Sequence, residues 1–483
     1  MNRKRILAIA VTVCMLTGLT GCAGSAAAPG APAEETPAEA TPAEATPAEK
    51  APAETTPAEE APAEATPAEG ITAVLAEYPE AISDMSPEEF AESDVHWQWW
   101  DGYRAKLEAS EELQDGMDGF YAEILPQLLA AGDQENRVCS PLNIYIALAM
   151  LAEVTDGESR RQVLDALQVK DIEELRERTS ALCEANYVNI PSLKTILADS
   201  LWLRDNTAYN EETLQTLAER YYASAFHGPM GSEEMNRALR EWTDENTGGL
   251  LKDFTKDLEL SPETVMALVS TIYYKAAWYD TFNEKVTKKE TFHGAAGDTT
   301  VDMMHIGDTM TVYFGEHFTA VSKGLLDSGS MFFFLPDEGT DAAALAADPE
   351  VLRLIRGEWN GKEDVYMVNL SVPRFRVQAK TDLIGTLEHL GIRDILDSST
   401  ADFSPLTDDV EELFLSSAQH TAMVETDENG VTGAAYTILM LAEGAALEEP
   451  EPYDFILDRP FFFAVTSRDE SILFGGIVQN IEH

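Results

Sequence analysis

Positive charge is what this sequence is shortest of. It has 33 Lys and Arg against 86 Asp and Glu in 483 residues, a formal net charge of −53. Ten Glu against Lys50 in the tail 23–70, and three cations in the leader, leave −47 on residues 71–483. Such a balance repels phosphate backbones and excludes nucleic acid as a partner. Cysteine is nearly as scarce: Cys14, Cys22, Cys139 and Cys183. Two body cysteines without CxxC spacing make no disulfide framework, and their apolar contexts read as buried free thiols. Eight histidines are scattered, and neither HExxH nor GxSxG occurs. No metal site, cofactor or catalytic constellation is indicated, so the chain does not read as an enzyme.

What is present begins with a leader. Arg3, Lys4 and Arg5 precede an apolar stretch, and Leu19-Thr20-Gly21-Cys22 closes it. The stretch is short for a membrane span and has the layout of a secretory signal. Small residues before a cysteine resemble the lipobox of bacterial lipoproteins. That resemblance implies a signal peptide 1–21, lipid on the sulfur of Cys22, and an extracytoplasmic, membrane-anchored cell-surface location. Residues 22–70 repeat ATPAE, which cannot bury a core and forms a solvated spacer. Its reach is about 40 Å as a coil and about 150 Å as extended polyproline II.

Residues 71–112 read as an acidic, irregular extension, with Trp97, Trp99 and Trp100 suited to packing on the domain that follows. From about Glu112 the pattern is regular. Ser140 and Pro141 are an N-cap and a first helical residue, and Ala147 and Ala149 predict a helix buried on most sides. DGESRRQVLDAL, DIEELRERTSALCEAN and SEEMNRALREWTDENTGG supply amphipathic helices. KTILADSLWLRD, VMALVSTIYYKAAW, MFFFLPDEG, VYMVNLSVPRFRV, TAMVETDENG, RPFFFAVTS and SILFGGIVQNI supply strands. Strands dispersed among helices without βαβ regularity predict an α+β class with large mixed sheets, as one domain over 113–483.

The most unusual segment is ENGVTGAAYTILMLAEG, residues 428–444, where Val431–Ala442 carries no charge. A buried helix would use larger apolar residues at 3.6 spacing, and a solvated loop would use charge. Alternation puts Val431, Gly433, Ala435, Thr437, Leu439 and Leu441 on one face. All are neutral and the leading ones small, as entry between two existing strands requires. A charge there would cost several kcal/mol on desolvation.

In order, NRVCSPLNIYIALAML, DGESRRQVLDAL, NTGGLLKDF, VMALVSTIYYKAAWYDTF, FFFLPDEG, VNLSVPRFRV, DLIGTLEHLGI, TDENGVTGAA and DRPFFFAVTSRDESILFGGIVQN resemble the serpin family. The resemblance spans 113–483. It implies three β-sheets, eight or nine helices and an exposed reactive-centre loop, in a monomer that inhibits serine, or cysteine, proteases by suicide. The protease cleaves the loop, is held as an acyl-enzyme, and the loop inserts into the main sheet. It implies a hinge of Glu428, Gly430, Val431, Thr432, Gly433, Ala434 and Ala435, and a buried polar cluster of Ser140, Asn143, Ser270 and His420. Val431 and Thr432 depart from the family's usual Thr or Ser and Glu, and Tyr436 is bulkier than its usual alanine.

Family spacing from Glu428 puts the cleaved bond at Gly444–Ala445; Leu441, Ala442, Glu443, Ala446 and Leu447 stay open because the loop is about five residues longer than typical. No Lys or Arg lies between Glu428 and Asp458, so the expected target is elastase-, subtilisin- or chymotrypsin-like rather than trypsin-like. The rival reading is a non-inhibitory binding or scaffold lipoprotein of the same fold.

Overall fold

The computed structural model describes residues 7–12, 70–431 apart from 83, 115, 131–133, 251, 257 and 411, and 450–481. Two nine-stranded ladders dominate it. The first runs Leu7–Thr12 (β1), Leu413–Thr426 (β14), Gly430–Val431 (β15), Met266–Ala277 (β7), Leu193–Arg204 (β5), Ala223–Gly228 (β6), Thr72–Val74 (β2). Phe375–Asp382 (β13) pairs with β14, and Val188–Asn189 (β4) with β5. β5 and β7 are covered on both faces, and their near-continuous apolar sequence is what such burial selects.

The second ladder runs Pro452–Ile456 (β16), Lys362–Pro373 (β12), Gly297–Phe314 (β9), Phe318–Gly324 (β10), Ser330–Pro336 (β11), Phe461–Thr466 (β17), Ile472–Val478 (β18), Arg137–Cys139 (β3). Lys288–Gly294 (β8) is the hairpin partner of β9. β9 is 18 residues long; it pairs with β8 and β12 along its length and with β10 at its end. Two of the three expected sheets therefore share a strand and run on as one ladder.

The helix Pro141–Glu153 is buried at every position and packs on β7 and β18, between the two ladders. Ser140 caps it, its hydroxyl accepting from the Asn143 N–H at 3.4 Å. Among the described residues there are eleven α-helices; two lie before residue 113 or straddle it, leaving nine in the domain proper.

The region before residue 113 is more ordered than its composition predicts. β2 adds to the edge of β6, and a 21-residue helix runs Asp94–Gln114. That helix buries Tyr103, Leu107, Ser110 and Gln114, one thin stripe at helical spacing. Ser110 Oγ and Gln114 Nε2 donate to Asp469 Oδ2 at 2.6 and 3.1 Å, and Asn186 Nδ2 donates to the same oxygen at 3.0 Å. Trp99 stacks on Tyr103 at 4.8 Å, and the Arg468 guanidinium lies 4.7 Å from the Trp100 ring. Trp97, by contrast, is 63% exposed, so only two of the three tryptophans pack as expected.

Candidate functional site: the mouth of the first sheet

β7 and β14 run parallel but, among the described residues, are not paired with each other. At one end both pair with β15: Val431 faces Thr426 on one side and Ala276 on the other. At the opposite end both pair with β1. One strand's width thus separates them at each end, about 10 Å between neighbours-but-one.

A tight turn feeds β15 into this mouth. The Asp427 side chain accepts from the Asn429 and Gly430 N–H groups at 2.7 and 3.1 Å, and the Asp427 N–H donates to Gly430 O at 3.1 Å. Asp and Asn favour such side-chain-supported turns. The backbone beyond β7 grips the turn. Trp278 N–H donates to Asn429 O and Phe282 N–H to Glu428 O, both at 2.9 Å; the Trp278 indole donates to Asp427 O at 2.8 Å.

Glu428 points inward and is 2% exposed. Arg374 holds both its oxygens, Nε at 2.8 Å and Nη2 at 2.7 Å, and Thr287 Oγ1 donates as a third partner. Burial alone would raise this carboxyl's pKa, but the hydrogen bonds from Arg374 and Thr287 outweigh it and hold the group below its ordinary value. Gly430 has no room for a side chain: a Cβ would collide with the carbonyl oxygen of Ala276. Val431 is fully buried, as the inward face of an entering strand predicts.

The predicted polar cluster is brought together, joining the start of the helix Pro141–Glu153 to β7 and β14. The His420 Nε2 accepts from the Ser140 N–H at 2.9 Å, and Asn143 Nδ2 donates to Ser270 Oγ at 2.7 Å. His420 is only half satisfied: its Nδ1 has no hydrogen-bond partner among the described residues. Gln419 Oε1, Thr421 Oγ1 and Thr426 Oγ1 share that condition, so β14, one border of the opening, concentrates unsatisfied polar atoms. Each costs about 1–3 kcal/mol when buried, a reservoir of strain. Asp199, absent from the sequence-based cluster, stands across from Ser270 in the β5–β7 register and is 1% exposed. The only advance signal was a carboxylate inside the apolar run TILADSLWL.

These two groups set opposing pH dependences. Burial pulls His420 down from 6.5 to about 3. Protonation in the unfolded state alone lowers stability as pH falls from 6.5 towards 3. Burial pushes Asp199 up from 3.8 to about 8, with the Ser270 hydrogen bond opposing it. Here the folded state holds the extra proton, so its stabilisation is lost as pH rises from about 4 through 8. Urea-unfolding midpoints are expected to be flattest between about pH 4 and 6.5 and to fall on either side. Asp199→Asn should abolish the alkaline decline, worth about 2 kcal/mol between pH 6.5 and 8. An unchanged alkaline slope in that variant would refute the assignment.

Thr432, Gly433, Ala434, Ala435, Gly444, Ala445 and Cys22 lie outside the described residues. Cys139 and Cys183 are buried and free, and burial raises both thiols, Cys139 to about 12. Neither is poised as a nucleophile.

Gly430–Val431 thus sits between two parallel strands that are not paired with each other among the described residues. Comparison with known proteins assigns this arrangement. The model of the family described as Serpin (serine protease inhibitor) matches residues 115–481. Human neuroserpin is 26% identical over 374 residues, 74% of this chain and 88% of that protein. Leukocyte elastase inhibitor of Sus scrofa is 28% identical over 383 residues, 76% of this chain and 98% of that one. The crystal structure of the thermophilic serpin tengpin in its native state superposes with a TM-score of 0.66 at 25% identity, covering 76% of this chain and 94% of that chain. The chain belongs to the serpin family, whose members typically inhibit proteases and form complexes with them.

Proposed function

We propose that this serpin is a suicide inhibitor of elastase-, subtilisin- or chymotrypsin-like serine proteases, with cysteine proteases as a secondary class. The observation that carries the reading is the seating of Gly430–Val431 between β7 and β14, with those strands one strand apart at both ends. The target's serine attacks a carbonyl in the stretch 441–447, the amine of the following residue leaves, and an ester links the two proteins. Freed at one end, the loop follows Val431 between the strands and carries the protease with it before water can cleave the ester. All catalytic groups belong to the protease; this chain supplies the bait and the strained sheet.

Export fits the same scheme. The signal peptide is removed before Cys22, lipid is added there, and the ATPAE spacer holds the domain off a bacterial membrane. In the full chain β1 occupies the base of the opening. Loss of residues 1–21 therefore clears the path of the inserting loop.

Incubating residues 71–483 with a protease panel tests the reading. An adduct surviving denaturing electrophoresis is expected with an elastase-type or subtilisin-type enzyme, and none with trypsin, since no Lys or Arg lies between Glu428 and Asp458. Cleavage of the loop by every protease without any adduct would instead favour a non-inhibitory binding protein.

A further inference from the structure

One cavity lies beside the sheet mouth but outside the seat of Gly430–Val431. It has a volume of about 250 Å³ and lies between β9, β10 and the segment after β7. Its inner wall includes Lys323, which is 3% exposed. Lysine is rarely buried so completely without a partner. The ammonium lies 5.1 Å from the Phe282 ring and 5.9 Å from the Trp278 ring. Among the described residues no carboxylate lies within 4.0 Å of it, and it donates no hydrogen bond. Burial lowers its pKa to about 8, Asp308 and Asp280 opposing that shift, so at neutral pH it is mostly charged.

The acids sit elsewhere in the same cavity. Asp280 is exposed at the rim, and Asp308 is half-buried. Thr309, Thr311 and Ser322 add polar groups to the lining, beside Tyr279 and Tyr313. A simple anion would answer Lys323 but meet two carboxylates and a protein of large negative charge. A simple cation would leave Lys323 unanswered. A molecule with both charges satisfies both ends. The volume is below the roughly 300–1,000 Å³ of sites for drug-sized ligands and suits a single small metabolite.

We propose that this cavity binds a free α-amino acid, its carboxylate on Lys323 and its ammonium at the Asp280–Asp308 rim. The occupant would also press on the hinge, because Trp278, which Lys323 overlies, donates its indole N–H to Asp427 O.

L-leucine is the probe, titrated calorimetrically into residues 71–483 at pH 7, with the other neutral amino acids, polar and apolar, in parallel. N-acetyl-L-leucine and L-leucinamide each lack one of the two charges and are expected to bind at least tenfold more weakly. Lys323→Met should weaken leucine binding at least tenfold with the near-ultraviolet circular dichroism unchanged. Asp280→Asn/Asp308→Asn, placed at the rim where the core is not at risk, should weaken leucine but not N-acetyl-L-leucine. Saturable leucine binding with those losses supports the site. Absence of binding by any neutral amino acid, equal binding of N-acetyl-L-leucine, or binding that survives both variants would overturn it. None of these readouts depends on protease inhibition, so the two readings stand or fall separately.

Discussion

Once nicked inside 432–449 by an elastase-type protease, the domain is expected to melt about 20 °C higher than the intact molecule. The physical basis is the spacing of β7 and β14, which are parallel, separated by one strand at both ends, and unpaired with each other among the described residues. A strand of about ten residues entering between them pairs on both sides and gains roughly twenty backbone hydrogen bonds, each worth about 1 kcal/mol net. Burial of Leu439, Leu441 and the smaller inward residues adds to this. In domains of 150–250 residues each kcal/mol moves the melting midpoint by about 2–4 °C, and less in a larger one. The intact molecule lacks this stabilisation because the loop is tethered at both ends, at Val431 and at β16. Calorimetry of intact and nicked samples, with the nick located by mass spectrometry, makes the measurement. Equal midpoints would mean that the severed arm stays outside the sheet, and the proposed mechanism would fail with it.

The sequence announced the parts of this fold that are buried on both faces or patterned by one strong period. β5, β7, β17 and β18 fall where VMALVST, FFFAVT and their counterparts place them, because continuous burial leaves continuous apolar sequence; β14, with polar and partly exposed positions in its first half, starts eight residues before the predicted TAMVETDENG. No strand was predicted between Trp278 and Met331, yet β8, β9 and β10 lie there. Along β8 and β9 the exposed positions are charged and threonine-rich, which blurs a period of two into the look of a polar loop. The helix Asp94–Gln114 hid for a related reason: two of the four residues in its buried stripe, Ser110 and Gln114, are polar and serve Asp469. In the candidate site, Val431 was legible from the neutral alternation that follows it, while Glu428 and Gly430 came only through the serpin resemblance, and the turn at Asp427–Gly430 was read as part of the strand TAMVETDENG. The supports of these residues were not legible. Arg374 is 54 positions from Glu428, and no spacing rule links a guanidinium to a carboxylate through a tertiary fold. Asp199 was read as part of a strand, but only the register opposite Ser270 reveals that its carboxyl is enclosed.

Val431→Arg should convert the molecule from trap to substrate. Val431 is fully buried between Thr426 and Ala276, and Gly430 beside it already presses on the Ala276 carbonyl, so there is no slack to turn the new side chain outward. Placing a guanidinium there without a carboxylate partner costs several kcal/mol. The head of the loop would then leave the mouth, and insertion would begin from an unseated start. Cleavage itself concerns residues at 441–447 and should proceed at a similar rate. The partition changes instead: the fraction of protease captured per cleavage is expected to fall at least tenfold, since 1.4 kcal/mol already corresponds to a factor of ten. Val431→Thr, similar in volume and uncharged, should retain most of the capture. The gain in heat resistance on nicking should shrink in the Arg variant and persist in the Thr variant, a readout that does not require the right protease to be known. Undiminished capture and an undiminished heat shift in Val431→Arg would show that entry does not start at this residue.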